Sequence, residues 1–331
     1  MNLQNRIAIL TELGQYLRNN GSDWNDAKKK AEAVNHWFTQ EFIDIATENI
    51  ASAFLQKERL VNFAKHYHLD DAISPLNIGI VMAGNIPMVG FHDWLCVFLC
   101  GHHATIKFSS KDNVLLPHII GHLTTSYPEL NDCITIRERL KDCDAYIATG
   151  NNNSAAVFET YFGKYPSIIR KNRTSIAILD GTEPMEALDA LANDVHCYFG
   201  LGCRNVTKIM VPEGYDFIPL INAFDKFAHF RDHHAYANNY DYQLSLMLLN
   251  NIPYMSSKAT LIVENKSLFS PISVLHYETY KKEEAPLSLI TNHDTIQAII
   301  GTHGTPFGEA QKPTLETYAD GVDTMQFLLG L

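Results

Sequence analysis

The chain has 331 residues, 46% of them hydrophobic and 19% charged, with a formal net charge of -11. That is enough chain for one large domain or two ordinary ones with well-filled cores, and the composition excludes extensive disorder. The acidic balance excludes a general binder of nucleic-acid backbones, which needs a basic face, and leaves room for a local basic pocket.

At the N-terminus, Ile7, Leu10, Leu13, Tyr16 and Leu17 recur at helical spacing. The segment has neither the basic start nor the apolar block of a signal peptide. The most apolar stretch, Ile78 to Cys100, is interrupted by Asn85, Pro87, His92 and Asp93, so it is not expected to span a membrane. A cytoplasmic protein is expected.

Residues 1–70 are expected to be helical. Strands are then expected at Leu76–Ala83, Ala104–Phe108, Cys133–Arg137, Asp144–Ala148 and Ser175–Leu179, with helices at Met88–Cys100, Val114–Thr125 and Asn153–Phe162. Short apolar strands alternating with helices point to an α/β fold with a parallel sheet covered on both faces. Ligands of such sheets bind at the carboxyl ends of the strands, where the turns Gly84-Asn85 and Thr149-Gly150 fall. The second half continues with helices at Glu183–Tyr198, Phe217–Phe230, Tyr240–Leu249 and Asp294–Ile300. Its strands are expected at Thr207–Val211, Ala259–Glu264 and Ile272–Tyr277.

The six cysteines are scattered without a CxxC pair, and the 15 histidines form no HExxH-like array. A disulfide framework and a metal site are therefore not expected. Cys96 and Cys100, four residues apart on an apolar helix, read as core.

Cys203 lies in Gly200-Leu201-Gly202-Cys203-Arg204-Asn205. Flanking glycines let a backbone approach a ligand closely, and a cysteine there is either a thiolate nucleophile, with Arg204 favouring the anion, or a small buried apolar residue. Asn85, at a strand end, is an oxyanion donor or an ordinary Asx turn. Thr149 and Gly150 precede a helix start suited to a pyrophosphate, or to a plain cap. Lys107 ends a strand and either contacts a ribose or phosphate or is solvated. Lys164, Arg170, Lys171 and Arg173 form a basic cluster that is either solvated surface or a contact for nucleotide or coenzyme A phosphates.

The segments AGNIPMVGF, ATIKFSSKD, YIATGNNNSAAVF, RKNRTSIAILDG, YFGLGCRNVTKIMVP, SPISVLHYETY and FGEAQKPTLETYADGVDTMQFL, in that order, resemble the aldehyde dehydrogenase superfamily. Within it they look like the acyl-CoA reductases typified by the fatty acid reductase subunit of luminous bacteria. The likeness spans about residues 75–331, and its weight lies in order and spacing: Asn85 precedes Lys107 by 22 residues, Lys107 precedes Gly150 by 43, and Gly150 precedes Cys203 by 53.

The resemblance implies an aldehyde dehydrogenase-like two-domain α/β fold with parallel sheets covered by helices. A helical region (1–70) would pack on a dinucleotide-binding domain (71–182). A catalytic cysteine domain (183–331) would follow, its last residues either completing it or returning to the cofactor domain. Cys203 matches the catalytic thiol facing the nicotinamide. Asn85 matches the oxyanion amide acting with the Cys203 N–H, Lys107 the lysine on the adenosine ribose, and Gly150, after Thr149, the glycine beneath the pyrophosphate.

Three departures qualify this. The general-base glutamate of aldehyde-oxidising members has no counterpart in Leu179-Asp180-Gly181, as suits an enzyme exchanging its acyl group with coenzyme A rather than water. The acidic ribose contact is replaced by Ser109 and Ser110 with Lys111 following, which favours NADP(H) over NAD(H). Ser267 stands where the second ribose contact, a glutamate, would be.

The implied activity is NADPH-dependent reduction of a long-chain fatty acyl-CoA to the aldehyde through an S-acyl-cysteine. An acyl-protein synthetase is the partner such relatives imply, and self-association is common in the superfamily. The alternatives are a short-chain acyl-CoA or acyl-phosphate reductase of the same fold, thiol-based acyl transfer without reduction, and a non-catalytic NADP-binding protein.

Overall fold

The structure is a computed structural model that describes residues 1–71, 73–281, 286–290, 293–302 and 304–331. The chain divides into two compact units, residues 1–172 with 313–331, and residues 173–312.

The first unit opens with helices α1 (Leu3–Asn19), α2 (Ser22–Val34), α3 (Gln40–Asn49) and α4 (Lys57–His66), α3 running on into a wider π turn over Ile50–Phe54. Asn2 caps α1 by accepting the Asn5 N–H, and Asn20 ends it in the left-handed region. Ile7, Leu10, Leu13 and Leu17 are buried, as their spacing requires.

Then come β1 (Asn77–Val81), α5 (Phe91–Cys100), β2 (His103–Lys107), α6 (Leu115–Ser126), β3 (Ile134–Ile136), β4 (Ala145–Thr149), α7 (Asn152–Phe162) and β5 (Ser167–Arg170). The strands form an all-parallel sheet in the order β3-β2-β1-β4-β5. Strand order reverses at β1, so the crevice beyond the carboxyl ends of β1 and β4 is the topological switch point of this sheet. The chain returns to this unit at its end, where a helix over Thr324–Leu329 packs on α5 with Met325 Sδ 3.7 Å from Cys100 Sγ. Cys96 and Cys100 are core residues.

The second unit holds β6 (Thr174–Ile178), α8 (Met185–His196), β7 (Val206–Pro212), α9 (Ile218–Phe224), α10 (His234–Leu249), β8 (Met255–Ser256), β9 (Leu261–Glu264), β10 (Val274–Tyr280) and β11 (Ile296–Ile300). Its sheet runs β11-β6-β7-β10-β9-β8, parallel except for the β8–β9 edge pair. Leu191, Val211, Leu220, Phe224, Ile262 and Leu275 meet in its largest core cluster. The break falls at Asn172/Arg173, so β6 belongs to the second unit, where it pairs with β7 and β11.

Three elements differ most from the sequence expectation. The helix expected over Asp294–Ile300 is a short 3-10 turn followed by strand β11, which pairs with β6 through Ile299↔Ile176 and Ile300↔Ala177. The β-branched Ile296, Ile299 and Ile300 suit a pleated surface, and seven residues are too few for a buried helical stripe to hold against strand pairing. Strand β5 occupies the segment read only as basic. Helix α5 starts at Phe91 because Met88 sits at φ 56°, turning the chain before the helix begins. Among the described residues, no helix is long and apolar enough to cross a membrane.

Candidate active site

In the first unit, the sequence-predicted residues gather along the carboxyl edge of the parallel sheet. Val81, the last residue of β1, pairs with Lys107 on one side, while Ala148 of β4 faces it on the other. Lys107 is half-buried at the end of β2, and the Met82 N–H donates to its carbonyl at 3.0 Å.

The chain leaves β1 through Gly84-Asn85-Ile86-Pro87. A Cβ on Gly84 would stand 2.7 Å from the Ser109 Cβ and Oγ and 3.0 Å from the Asp112 nitrogen, so only glycine lets these two loops touch. Asp112 holds the far side of the turn. It is 2% exposed, and its Oδ2 accepts the Met88 N–H at 2.8 Å. Burial raises the Asp112 carboxyl to about 6, against the lowering effect of the N–H groups of Met88, Leu115 and Leu116. Asn85 is half-buried in the turn so fixed.

Ser109 is half-buried, its Oγ accepting the Lys111 N–H at 3.2 Å, and Ser110 is exposed. Beyond β4, Thr149 and Gly150 are half-buried and the Gly150 N–H donates to the Arg170 carbonyl at 3.3 Å. Helix α7 begins two residues later, capped by Asn151, whose Oδ1 accepts the Ser154 N–H at 2.8 Å. A Cβ on Gly150 would lie 2.8 Å from the Ser154 Cβ and 2.9 Å from Phe158 Cε2.

The basic cluster read from the sequence is not a cluster. Arg170 is 3% exposed and bound to Asp93 at 2.6 Å. Lys171 pairs with Glu159 at 2.8 Å, Lys164 lies over the Tyr165 ring, and Arg173 belongs to the second unit, donating to the Ile296 carbonyl. Only Arg170 lies on β5; the other three flank the strand and are engaged with separate partners, which disperses their charge.

In the second unit, Cys203 is half-buried in the turn between α8 and β7. The turn is reached through Tyr198, Phe199 and Gly200, all with positive φ of 54°, 55° and 77°. For two aromatic residues this is a costly backbone that the surroundings must hold. Asn205, fully buried, does much of the holding. Its Oδ1 accepts the Gly202 N–H at 2.8 Å, and its Nδ2 donates to the carbonyls of Cys197 at 2.8 Å and Asp194 at 3.0 Å. The Ser175 hydroxyl donates to the Cys203 carbonyl at 3.1 Å. Burial lowers the pKa of the Arg204 guanidinium, and the neighbouring Cys203 sulfur works the other way.

Asp194 is buried and accepts the N–H groups of Gly308 and Ala310 at 2.6 and 3.1 Å, tying the Phe307-Gly308-Glu309-Ala310 loop to α8. Burial raises its carboxyl to about 6. At the end of β6, Asp180 accepts the Thr182 N–H and hydroxyl, and Glu183 accepts the N–H groups of Asp180 and Gly181. Ser267 is exposed and spends its hydroxyl on the Phe269 carbonyl.

Sequence reasoning missed Asp112, Ser175, Asp194 and Asn205 as supports of these turns. The signal for Asn205 was an asparagine closing a glycine-bearing turn, and for Asp112 an acidic residue just before a helix.

No protein-family model matches the chain, and no curated protein sequence matches it. Solved structures do. Aldehyde dehydrogenase 21 from Physcomitrella patens, in complex with the reaction product succinate, superposes with a TM-score of 0.68 at 10% identity, over 91% of this chain and 74% of that one. The indole-3-acetaldehyde dehydrogenase of P. syringae, in complex with NAD+ and IAA, gives 0.65 at 12% identity, over 91% and 72%. An NAD-dependent aldehyde dehydrogenase from Sinorhizobium meliloti gives 0.64 at 11% identity, over 99% and 73%. At such identities the likeness is one of fold, and the fold of this chain is that of the aldehyde dehydrogenases.

Proposed function

We propose that this chain reduces an acyl-CoA thioester to the aldehyde, with Cys203 as the nucleophile and NADPH as the reductant. The observation that carries the reading is the cysteine itself: half-buried, in a turn held by Asn205 and Ser175, on a chain with an aldehyde dehydrogenase fold.

The cofactor proposal rests on the edge of the first sheet. A parallel sheet with its switch point beside Lys107, Thr149 and Gly150 is suited to a dinucleotide. At Gly84 and Gly150 a Cβ would crowd the neighbouring loop or helix, so both glycines let that edge pack tightly on itself. Ser109, Ser110 and Lys111 place no carboxylate after Lys107, which supports NADPH over NADH. When bound, the cofactor supplies the hydride that reduces the acyl group.

The remaining steps belong to the chain. The Cys203 thiolate adds to the thioester carbonyl carbon. The oxyanion takes a hydrogen bond from the Cys203 N–H, and the Asn85 carboxamide is the second donor that the family resemblance implies. The carbon–sulfur bond to coenzyme A breaks, coenzyme A leaves as the thiolate, and an S-acyl-cysteine remains. After reduction, the thiohemiacetal carbon–sulfur bond breaks and returns the Cys203 thiolate and the aldehyde. The sum is acyl-CoA, NADPH and one proton giving aldehyde, coenzyme A and NADP+. Hydrolysis of the acyl-enzyme would waste it. That Asp180 and Glu183 are both engaged with local backbone supports the absence of a water-activating base at that strand end.

Intact-protein mass after brief incubation with tetradecanoyl-CoA tests this. One acyl adduct is expected, absent in Cys203→Ala and discharged by NADPH with release of tetradecanal. No adduct with tetradecanoyl-CoA, short-chain CoA esters or acyl phosphates would overturn the reading and favour a non-catalytic nucleotide-binding protein.

A further inference from the structure

We propose that Asn205 is a positioning residue that aims the Cys203 N–H at the developing oxyanion. This rests on the reading of Cys203 as an acylated nucleophile. Five hydrogen bonds define the arrangement. The Asn205 Oδ1 holds the Gly202 N–H at 2.8 Å, and the Asn205 N–H holds the Gly202 carbonyl at 3.1 Å. The Asn205 Nδ2 grips the carbonyls of Cys197 and Asp194. The Asn205 carbonyl accepts the Ser175 N–H at 3.1 Å, which fastens the whole to β6.

A trans peptide is planar, so the Cys203 N–H points opposite to the Gly202 carbonyl. The Asn205 main-chain N–H fixes that carbonyl, and the Asn205 side chain fixes the Gly202 N–H on the preceding peptide, so the side chain sets the direction of the Cys203 N–H by holding Gly202 from its other side. The Ser175 hydroxyl on the Cys203 carbonyl fixes the next peptide plane. Between them, one residue's peptide dipoles are oriented from both sides before any substrate arrives, which is what preorganised stabilisation of an oxyanion requires. Asn205 also satisfies carbonyls in the last turn of α8 from outside the helix, so the strained run through Tyr198 and Phe199 is anchored at both ends.

Two reactions of the same sulfur separate positioning from general structural support. Acylation by p-nitrophenyl acetate forms a thioester on Cys203, expels p-nitrophenolate and passes through an oxyanion. Alkylation by iodoacetamide forms a thioether, expels iodide and develops no oxyanion. In Asn205→Ala the p-nitrophenolate burst is expected to slow about 10²-fold. The iodoacetamide rate and its pH profile are expected to stay within about threefold of the unsubstituted protein. Ser175→Ala, a smaller deletion, is expected to show the same split at about tenfold, and it decides the matter if Asn205→Ala does not fold. Equal slowing of both reactions, or wild-type acylation in both variants, would overturn the proposal. The ester needs no coenzyme A subsite. A normal burst with inert tetradecanoyl-CoA would therefore defeat the acyl-CoA reading and leave the role of Asn205 standing.

Discussion

The Arg170 guanidinium donates to the Asp93 carboxylate at 2.6 Å and to the Thr324 hydroxyl at 2.9 Å, joining β5, α5 and the C-terminal helix inside the first unit. All three partners are buried. Removing one member of a buried pair strands the other charge away from water. Arg170→Met is expected to cost about 3–5 kcal/mol of stability. The loss is expected to be partly restored by adding Asp93→Asn, which removes the stranded charge. Urea unfolding of the single and double variants reads this, and equal stability of the two would contradict it.

The turn carrying Asn85 is fixed on one side by the close approach of Gly84 to Ser109 and on the other by Asp112. A carboxamide in a turn so held has little left to reorganise. Asn85→Ala is expected to slow acylation by tetradecanoyl-CoA by about 10²- to 10³-fold with KM little changed. Rapid-quench measurement of the acyl-enzyme checks it. A loss under about threefold would return Asn85 to the role of a turn residue.

Much of the fold was legible because it depends on local patterns. The spacing of Ile7, Leu10, Leu13 and Leu17 marked the buried face of α1, and the apolar runs at β1, β2, β4 and β6 marked strands. What was not legible depends on distant partners. Arg170 looks like its basic neighbours, and only Asp93, 77 residues away, makes it a core residue. Ile296–Ile300 is decided by β6, more than 100 residues earlier, and not by its own composition. The turns bearing Asn85, Gly150 and Cys203 could be picked out by residue type. The groups that brace them, Asp112 and Asn205, carried only a residue-type signal, because the bonds they make become visible only when the backbone is folded.

Cofactor choice is testable at Ser110, which is exposed just after β2. A carboxylate there would repel a 2′-phosphate and accept a bare ribose. Like charges about 4 Å apart interact by about 1–4 kcal/mol near a surface. Ser110→Glu is therefore expected to move the NADPH-to-NADH ratio of kcat/KM at least about tenfold toward NADH. Lys107→Ala is expected to weaken both cofactors. An unchanged ratio in Ser110→Glu would place the adenosine ribose elsewhere.

His196, buried at the end of α8, sets a pH dependence of the second unit. Its Nδ1 lies 2.7 Å from the Ala192 carbonyl, which can only accept, so Nδ1 carries the proton and Nε2 accepts from the Thr260 hydroxyl at 2.6 Å. The neutral ring also stacks on Phe227 at 4.2 Å between centroids. Burial, foremost, lowers its pKa from 6.5 to about 3, with Lys226 and His229 adding to the effect. Below the unfolded value the unfolded chain binds a proton that the folded chain refuses. The stability this group contributes is therefore complete above pH 6.5 and drains away as pH falls toward 3. The expected slope is about 1.4 kcal/mol per pH unit in the interior of that window, well below the unfolded value and well above the folded one. His196→Gln removes the titrating group and is expected to flatten the curve by that slope, while lowering stability at neutral pH through imperfect packing. Urea unfolding of both proteins between about pH 5 and pH 8 measures the difference. Parallel curves would mean that His196 binds its proton equally in the folded and unfolded chain.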